Sequence, residues 1–347
     1  MPPVLGNQRK RIDLVNDNEQ FRAMVIDKDS RGDIHRQIRQ CTLADLPPGE
    51  VLIRVHFSSL NYKDALAVTG HPGIVRHYPQ VPGIDAAGHV AVSNNPSIPV
   101  GARVLVTGFG LGTEIWGGFA DYIRVPAEWV LLIPSAMSIQ ESMSLGTAGL
   151  TAALCVEALL KNDVLPASGN ILVSGTTGGV GSIVTAILAK LGYQVVALTR
   201  KASSESYLHQ IGVSKVINHD QITKEGGRQL CKEEWAAAVD TLGGTILANI
   251  LKRIRYGGSV AACGMASGTE FSTSVFPFIL RGVNLLGIDS VQCPLLHRKA
   301  LWEKLATEWK VPCLENITQT IRLDDVGPAV KSLLAGERRG RTIVALE

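Results

Sequence analysis

The sequence predicts an α/β protein in which a β-rich domain is followed by a doubly wound parallel sheet with helices on both faces. Residues 21–133 consist of short apolar runs separated by Gly- and Pro-rich turns, a pattern typical of β-structure. From about residue 150, apolar strand-like runs alternate with helix-like runs, as in a parallel sheet. The length of 347 residues also favours two domains, at roughly 150 residues per domain.

The composition is that of a globular protein. Hydrophobic residues make up 46% of the chain and charged residues 19%, which excludes disorder as the dominant state. The net charge of +3 and the aromatic content of 5% give no indication of a nucleic acid or a membrane surface as partner. The polar first 20 residues do not resemble a secretory signal, and we interpret the apolar residues 143–160 as a buried helix. We therefore expect a cytoplasmic protein.

The six cysteines, at positions 41, 155, 231, 263, 293 and 313, form no CxxC pair and show no zinc-finger spacing. A chain of this length needs no disulfide bonds to stabilise its core. Cys155 and Cys263 in addition lie in apolar segments that are typical of a protein interior. We therefore expect free thiols.

The elements of the first half are short strands. The clearest strands are predicted at residues 51–57, 90–92 and 103–106, with turns at 82–83, 99–101 and 116–118. We assign residues 21–150 to this domain and residues 1–20 to an N-terminal extension.

The elements of the second half alternate in type. Strands are predicted at residues 170–175, 194–199, 215–217, 236–241 and 259–263, and helices at 182–191, 205–211 and 246–254. We assign residues 151–293 to this domain. The remaining residues, 294–347, are predicted to form helices and a last strand at 342–346 that returns to the first domain.

A glycine-rich turn, residues 174–182 (SGTTGGVGS), joins the first strand of the second domain to the helix that follows. Glycines permit a tight turn there and let a pyrophosphate approach the N-terminus of the helix. Such a turn can also serve packing alone. Because a strand precedes it, a helix follows and a second strand comes next, we predict a dinucleotide site.

The end of the second strand indicates which dinucleotide binds. NAD sites usually present an acidic residue there, which accepts hydrogen bonds from the ribose. This chain instead has Thr199, Arg200 and Lys201, and the first acidic residue is Glu205. Two cations and a hydroxyl suit the 2′-phosphate of NADPH. A solvated basic loop is the alternative interpretation.

The order of the two halves and the C-terminal return resembles the medium-chain dehydrogenase/reductase superfamily, over nearly the whole chain from residue 21. The resemblance implies a GroES-like β-rich catalytic domain and a Rossmann domain that binds the cofactor. In its zinc alcohol dehydrogenases, cysteine and histidine hold a catalytic metal; the matching positions here are Asn61 and Ile84, and the cysteines of the structural zinc lobe are absent. Since neither residue offers a thiolate or an imidazole, we predict no metal.

Longer stretches resemble a narrower group, the NADPH-dependent acryloyl-CoA reductases, which are often labelled quinone-oxidoreductase-like. They are residues 58–66, 81–85, 146–152, 256–258, 261–264, 276–283 and 287–290. The chain departs from the group in its longer N-terminus and at residues 199–201, where the group tends toward Ser-Gly-Arg. The resemblance implies zinc-independent reduction of a short 2-enoyl-CoA thioester, acryloyl-CoA to propanoyl-CoA. An NADPH:quinone or small enone or enal reductase, and a protein that binds NADPH without turnover, remain alternatives.

The resemblance also implies catalytic residues in the cleft between the domains, namely Asn61, Tyr62, Asp64, Asp85 and Arg341. Tyr62 can pack against the nicotinamide or protonate Cα, a step that water can also perform; a buried structural tyrosine is the alternative. Asn61 can donate to the thioester oxygen or merely bond within its own turn. Since two unpaired carboxylates in a cleft are costly, we expect Asp64 and Asp85 to share a network with a cation, and the resemblance points to Arg341.

The cofactor-binding positions implied by the resemblance are Tyr62, Thr177, Gly178, Gly179, Val180, Thr199, Arg200, Lys201, His219, Met265, Ile279 and Ser290. His219 can equally be a surface-loop residue. Residues 276–280 and 285–288 are apolar and β-prone, and in this superfamily such a segment pairs across a two-fold axis, so we expect a homodimer. A basic rim would favour CoA over a quinone, and its candidates are Arg76, His77, Arg281 and Arg298.

Overall fold

The first half of the chain forms a two-stranded hairpin and most of a seven-stranded sheet. The computed structural model describes residues 17–200, 204–223, 228–312 and 314–346. The hairpin consists of β1 (Gln20–Lys28) and β2 (Ile34–Thr42), which are antiparallel. The sheet contains β3 (Val51–Ser59), β4 (Asp85–Ser93), β5 (Arg103–Thr107), β6 (Tyr122–Val125) and β7 (Leu131–Leu132). The predicted β-rich half is confirmed.

A short helix, α1 (Tyr62–Val68), interrupts this half, which the sequence analysis predicted as wholly β. The backbone of Asn61 is extended just before the helix, and its N–H donates to the carboxylate of Asp64 at 2.8 Å. This bond satisfies a donor at the start of the helix. Seven residues are too few to display a helical period, which is why the pattern did not reveal the helix.

The second half forms a six-stranded parallel sheet with the strand order β10-β9-β8-β11-β12-β13. Its strands are β8 (Ile171–Ser174), β9 (Val195–Thr199), β10 (Val213–Asn218), β11 (Trp235–Asp240), β12 (Ile254–Ala262) and β13 (Asn284–Gly287). The helices of this half are α2 (Ile139–Lys161), α3 (Gly179–Lys190), α4 (Glu205–Gln210), α5 (Asp220–Thr223), α6 (Gly244–Leu251) and α7 (Phe276–Arg281). The predicted Rossmann-like parallel sheet is confirmed.

The C-terminal segment returns to the first sheet. It contains α8 (Leu295–Ala306), α9 (Leu314–Ile317), β14 (Thr318–Arg322), α10 (Val326–Leu334) and β15 (Arg341–Ala345). β15 pairs antiparallel with β3, with Ile343 opposite Ser59. The last strand therefore brings residue 341 close to the end of β3. The domain boundaries at residues 150 and 293 remain predictions.

Residues 276–280, predicted to be β-prone, are helical and form most of α7. Pro277 lies in the first turn of this helix, where its missing N–H costs nothing, and Gly282 ends the helix in a left-handed conformation. The β-prone prediction was therefore wrong for this stretch. Residues 284–287, in contrast, form β13 at the edge of the parallel sheet.

The longest helix, α2, lies at the junction of the two halves and contacts β3, β4 and β15 of the first sheet and β12 of the second. It is long and apolar enough to cross a membrane by length and composition, but 72% of its most apolar window is buried within the protein. That burial agrees with the prediction of a buried helix at residues 143–160. Gly146 breaks the regular geometry, with φ +52° and ψ −151°.

Candidate cofactor cleft and carboxylate network

The glycine-rich turn connects the end of β8 to the first residue of α3. A Cβ on Gly181 would lie 2.4 Å from the carbonyl oxygen of Gly175, so only glycine allows this close approach. The N–H of Gly178 donates to the same carbonyl at 2.9 Å. The N-terminus of the 12-residue α3 has no side-chain cap, so its first backbone N–H groups suit a phosphate. The turn therefore fits the pyrophosphate of a dinucleotide.

Beside this turn, the ends of β9 and β10 bring three candidate residues together. Thr199, the last residue of β9, is paired with Asn218 of β10. Burial, and secondarily the charge of Arg200, lower the pKa of the adjacent His219. Thr199, Arg200 and His219 therefore share one end of the sheet, while Lys201 lies outside the described residues. Cationic and hydroxyl groups at this place fit a 2′-phosphate.

Asp240, a buried acid that the sequence analysis missed, is hydrogen-bonded to the first residue of the glycine-rich turn. Asp240, at the end of β11, accepts from Ser174 Oγ at 2.6 Å and from the N–H of Gly243 at 2.7 Å. Ser174 Oγ in turn accepts from the N–H of Thr241 at 2.9 Å. Burial raises the pKa of Asp240. Its signal in the sequence was a single acid at the end of an otherwise apolar strand.

A second cluster of polar groups surrounds Asp85 at the start of β4. This carboxylate is fully buried. One of its oxygens, Oδ2, accepts from Ser59 Oγ at 2.5 Å, Asn61 Nδ2 at 2.8 Å and the N–H of Thr147 at 2.9 Å. The other, Oδ1, accepts from Thr147 Oγ1 at 2.6 Å. Four donors on two oxygens hold this side chain in one orientation.

The second carboxylate, Asp64, lies in α1 and is also fully buried. It accepts from the N–H of Ile84 at 2.7 Å, from the N–H of Asn61 at 2.8 Å and from Asn61 Nδ2 at 3.1 Å. Burial, followed by the charge of Asp85, raises the pKa of Asp64 to about 7. Asp64 is therefore a group that changes its charge near neutral pH.

Arg341 connects to both carboxylates through Asn61. Its Nη1 donates to Asn61 Oδ1 at 3.1 Å, and its Nε donates to the carbonyl of Ser144 at 3.0 Å. Burial lowers the pKa of Arg341, while Asp85 and Asp64 act in the opposite direction. The expected network is present, but an amide lies between the cation and the acids.

This arrangement changes the role predicted for Asn61. Both ends of its amide group are engaged, since Nδ2 donates to two carboxylates and Oδ1 accepts from Arg341. No N–H of the side chain is left for a thioester oxygen. The geometry therefore argues against Asn61 as an oxyanion donor and indicates that Asn61 links the carboxylates to Arg341.

The network lies directly against the glycine-rich turn. The N–H of Gly340 donates to the carbonyl of Thr177 at 2.9 Å. A Cβ on Gly179, at the start of α3, would lie 3.1 Å from Cδ of Arg341. The two clusters therefore form one continuous site, although their residues lie far apart in the sequence.

Tyr62 follows Asn61 as the first residue of α1, and 46% of its surface is exposed. The alternative of a buried structural tyrosine is therefore wrong. Met265 and Ile279 are exposed as well, whereas Ser290 is buried and shares a hydrogen bond of 2.8 Å with Thr151. Tyr62 thus presents its side chain next to the network without belonging to it.

Two of the four candidates for a basic rim are not on the rim. Arg298 is fully buried, where it donates to Thr107 and to the carbonyl of Ser290 and stacks on Phe109. Arg281 is largely buried and donates to the carbonyls of Lys252, Ile254 and Cys231. Both predictions were wrong, because these guanidinium groups satisfy backbone carbonyls. Arg76 and His77 are exposed.

Within the described ranges, no group of three or more His, Cys, Asp or Glu side chains is arranged to hold a metal ion. Asn61 is engaged in the network, and Ile84 is a buried apolar residue whose N–H binds Asp64. The donor types at these two positions do not suit zinc. Zinc independence remains a prediction from those residue types.

Family comparisons agree with this architecture. A zinc-binding dehydrogenase family matches residues 179–307, and the alcohol dehydrogenase GroES-like domain family matches residues 47–135. The acrylyl-CoA reductase AcuI of Ruegeria pomeroyi is 42% identical over 325 residues, which cover 93% of this chain and 98% of that protein. YhfP of Bacillus subtilis, which carries a quinone oxidoreductase name, is 42% identical over 327 residues, covering 94% and 99%.

Solved structures show the same similarity. The yhdH oxidoreductase from Salmonella enterica, in complex with NADP, has a TM-score of 0.91 at 40% identity and covers 94% of this chain and 100% of that one. YhfP of Bacillus subtilis with NAD bound has a TM-score of 0.92 at 42% identity, covering 95% and 100%. On the strength of the fold, the turn and these relatives, the chain belongs to the medium-chain dehydrogenase/reductase superfamily, in the group that includes AcuI and YhfP.

Proposed function

We propose that this protein is an NADPH-dependent oxidoreductase that reduces the C=C bond of a short 2-enoyl-CoA thioester, acryloyl-CoA to propanoyl-CoA. The observation that carries the proposal is the contact between the glycine-rich turn and a network of carboxylates, amide and guanidinium, through Gly340 and Arg341. The 42% identity to an acrylyl-CoA reductase supports the substrate class. The NADP-bound oxidoreductase from Salmonella enterica supports the cofactor.

The choice of NADPH over NADH rests on Thr199, Arg200 and Lys201, with His219 beside them. The guanidinium of Arg200 suits a 2′-phosphate, and the described end of β9 offers no carboxylate that would prefer a ribose hydroxyl. The similar YhfP structure contains NAD, so the two cofactors have to be compared directly.

In the proposed mechanism the buried network positions the groups that touch the substrate. NADPH, when bound, supplies the hydride that reduces Cβ of the enoyl group. Asp64 and Asp85 are fully buried, so they act as positioning residues that hold Asn61 and with it the start of α1. Tyr62, half-exposed at the start of α1 beside the network, is the proposed proton donor, and its phenol or a water molecule delivers the proton to Cα. The substrate's own carbonyl takes up the charge that develops at Cα.

A quinone or small enone reductase is the second candidate. Two observations favour it. YhfP carries a quinone oxidoreductase name, and Arg281 and Arg298 bind backbone carbonyls instead of lying on the rim. With Arg76 and His77 as the remaining exposed candidates, the case for CoA phosphates on the rim is weaker.

We further propose a homodimer that forms through the edge of the parallel sheet. β13 is the last strand on this edge. Nearby Val275, Phe276, Ile279 and Leu280 are exposed apolar residues. Pairing of two such edges would cover both the strand and these side chains. Sedimentation equilibrium tests this proposal, since a dimer mass supports it and a monomer mass contradicts it.

The activity is tested with purified protein by following the oxidation of NADPH. Acryloyl-CoA, crotonyl-CoA and a benzoquinone are compared as acceptors, with NADH as the control for the cofactor. We expect acryloyl-CoA to be the best acceptor and NADH to be a poor donor. A clear preference for the quinone would favour the second candidate. Tight binding of NADPH without turnover of any acceptor would contradict both.

A further inference from the structure

A single buried arginine joins separate parts of the chain beside the candidate cleft. Arg298 lies near the start of α8, and its side chain is fully buried. Its guanidinium has five N–H groups, and it meets five acceptors. They are Thr107 Oγ1 at 2.8 Å and the carbonyl oxygens of Thr107 at 2.7 Å, Ser290 at 2.9 Å, Val291 at 3.1 Å and Cys293 at 3.4 Å. Arg298 therefore fixes the backbone of residues 290–293 to Thr107.

The two segments that Arg298 joins belong to the two sides of the cleft. Thr107 is the last residue of β5 and is paired with Asp85 of the carboxylate network. Residues 290–293 come shortly after β13 of the parallel sheet, and Ser290 is a candidate cofactor residue. No disulfide bond holds this segment, because Cys293, like the other four described cysteines, is a free thiol, as the sequence analysis expected. Arg298 thus links the cofactor domain to the strand pair that carries Asp85.

The loop after β5 is held in an unfavourable backbone conformation at this junction. Phe109 has φ +52°, which is rare for a bulky side chain. The guanidinium carbon of Arg298 lies 4.3 Å from the centre of its ring, and the ring also stacks on Trp129, with centroids 5.4 Å apart. The N–H of Phe109 donates to the carbonyl of Val291 at 3.3 Å. Such strain persists only where neighbouring contacts impose it, and it is concentrated at functional sites.

Residues 290–293 lie far along the sheet from the residues that are proposed to bind the 2′-phosphate. The strand order places β9 and β10, which end at Thr199 and Asn218, on one side of β8 and places β13 on the other. A dinucleotide crosses the carboxyl ends of the strands in such a sheet, with its pyrophosphate at the glycine-rich turn. With the 2′-phosphate beside β9, we therefore expect the nicotinamide on the side of Ser290.

We propose that Arg298 is a positioning residue that holds residues 290–293, and with them the nicotinamide end of the cofactor, in a fixed orientation to the Asp85 network. The proposal rests on the proposed function, which places the dinucleotide in this cleft. Lysine would keep the charge, but its three N–H groups on a flexible chain cannot satisfy five acceptors. Without these bonds the segment can shift, which weakens cofactor binding and disturbs the alignment of the hydride donor with its acceptor.

The test measures the dissociation constants of NADPH and NADH by fluorescence titration of the full-length protein, which needs no acceptor. We expect Arg298→Lys to raise both constants by the same factor, about tenfold, because the contacts it loosens lie at the end that the two cofactors share. Thr107→Val removes one acceptor only and should raise both by a smaller common factor. Arg253→Lys is the matched control, since Arg253 is also buried but precedes β12 at the opposite end of the sheet, where it binds Glu234 and the carbonyl of Asn249. It should leave both constants unchanged.

The proposal is overturned if Arg298→Lys binds both cofactors as tightly as wild type, if only NADPH is weakened, or if Arg253→Lys has the same effect. Thr107→Val decides the question if Arg298→Lys does not fold. Hydrogen exchange adds a readout without ligand, because the amide of Phe109 should exchange faster in Arg298→Lys or Thr107→Val than in wild type, whereas amides of β11 should not. Unchanged exchange at Phe109 would also overturn the proposal. Wild type that binds neither cofactor would instead contradict the proposed function, and the positioning role with it.

Discussion

The two sides of the cleft are built from different chemical groups. On the cofactor side, the backbone forms the site, because the turn between β8 and α3 depends on glycines and on free N–H groups. On the opposite side, Asp64, Asp85, Asn61 and Arg341 form it with side chains. On the first side an added Cβ would meet the backbone, and on the second the loss of a carboxylate would leave buried donors without an acceptor. A site made of backbone is therefore local in sequence, whereas a site made of side chains is assembled over long distances.

The largest effect should come from removing the central carboxylate of the network. Asp85→Ala leaves four donors, from Ser59, Asn61 and Thr147, without an acceptor, and it removes a buried negative charge close to Arg341. We expect the free energy of unfolding to fall by about 3–5 kcal/mol. Urea denaturation measures it. Asp33→Ala, which removes an exposed carboxylate, is the control and should change stability little. A loss of similar size in both variants would refute a central role for the network.

The raised pKa of Asp64 gives a pH dependence with a definite sign. Its pKa is about 7 when folded and 3.8 as an ordinary aspartate, so between these values the folded state binds more protons than the unfolded one. Stability contributed by this group is full below about pH 4 and is lost as the pH rises toward 7. In Asp64→Asn this pH dependence of stability should vanish, although the amide also lowers stability by an amount that does not depend on pH. The stability that wild type loses between about pH 4 and pH 7 through this group is on the order of a few kcal/mol.

The measurement is a series of urea midpoints between about pH 4 and pH 8 for wild type and Asp64→Asn. Other groups titrate in both proteins, so the difference between the two curves is the relevant quantity. A difference that stays constant across this range would show that Asp64 is charged throughout.

A smaller effect should follow from adding one methyl group at Gly146, beside the carboxylate network. Gly146 has φ +52°, and a Cβ there would lie 2.5 Å from Asp85 Oδ2 and 3.0 Å from Arg341 Nη2. Gly146→Ala should lower stability by about 2 kcal/mol or more and disturb the network. Gly192→Ala is a matched control, since φ is also positive but no atom lies within 4 Å of the added Cβ. Equal losses in thermal or urea unfolding would mean that backbone strain alone matters.

The smallest effect concerns the choice between NADPH and NADH on the cofactor side of the cleft. Arg200→Ala should raise the KM for NADPH about tenfold, which is roughly 1.4 kcal/mol, and leave the KM for NADH nearly unchanged. The physical reason is the loss of a charge-assisted hydrogen bond to the 2′-phosphate. Lys190→Ala removes an exposed cation at the far end of α3 and is the control. If KM rises equally for both cofactors, Arg200 does not read the 2′-phosphate.

The sequence predicted the glycine-rich turn well, because the residues that form it are consecutive in the chain. Residues 174–182 combine strand, turn and helix signals in nine positions, and the structure has the turn between β8 and α3. Resemblance to a known family supplied the long-range residues Asp64, Asp85 and Arg341. Ser59 and Thr147 were missed as partners of Asp85, since a hydroxyl in an apolar strand or helix carries no signal until its acceptor is placed beside it.

Other errors have the same origin. Charge alone suggested that Arg298 and Arg281 face solvent, but each folds onto backbone carbonyls that only the tertiary structure brings near. β-propensity predicted strand for residues 276–280, where Pro277 and Gly282 start and end a short helix. Asn61 illustrates the limit best, because the hydrogen bonds of its amide depend on residues 280 positions away.

The proposed function requires that the hydride of NADPH goes to the C=C bond of the substrate rather than to a carbonyl. The destination of the hydride is measured with NADPH deuterated at the transferable position of C4, acryloyl-CoA as acceptor, and NMR of the product. We predict propanoyl-CoA with deuterium at Cβ and a solvent-derived proton at Cα. Deuterium on a carbon that bears a hydroxyl group, or no transfer to the acyl group in an enzyme that turns over NADPH with other acceptors, would overturn the proposed function.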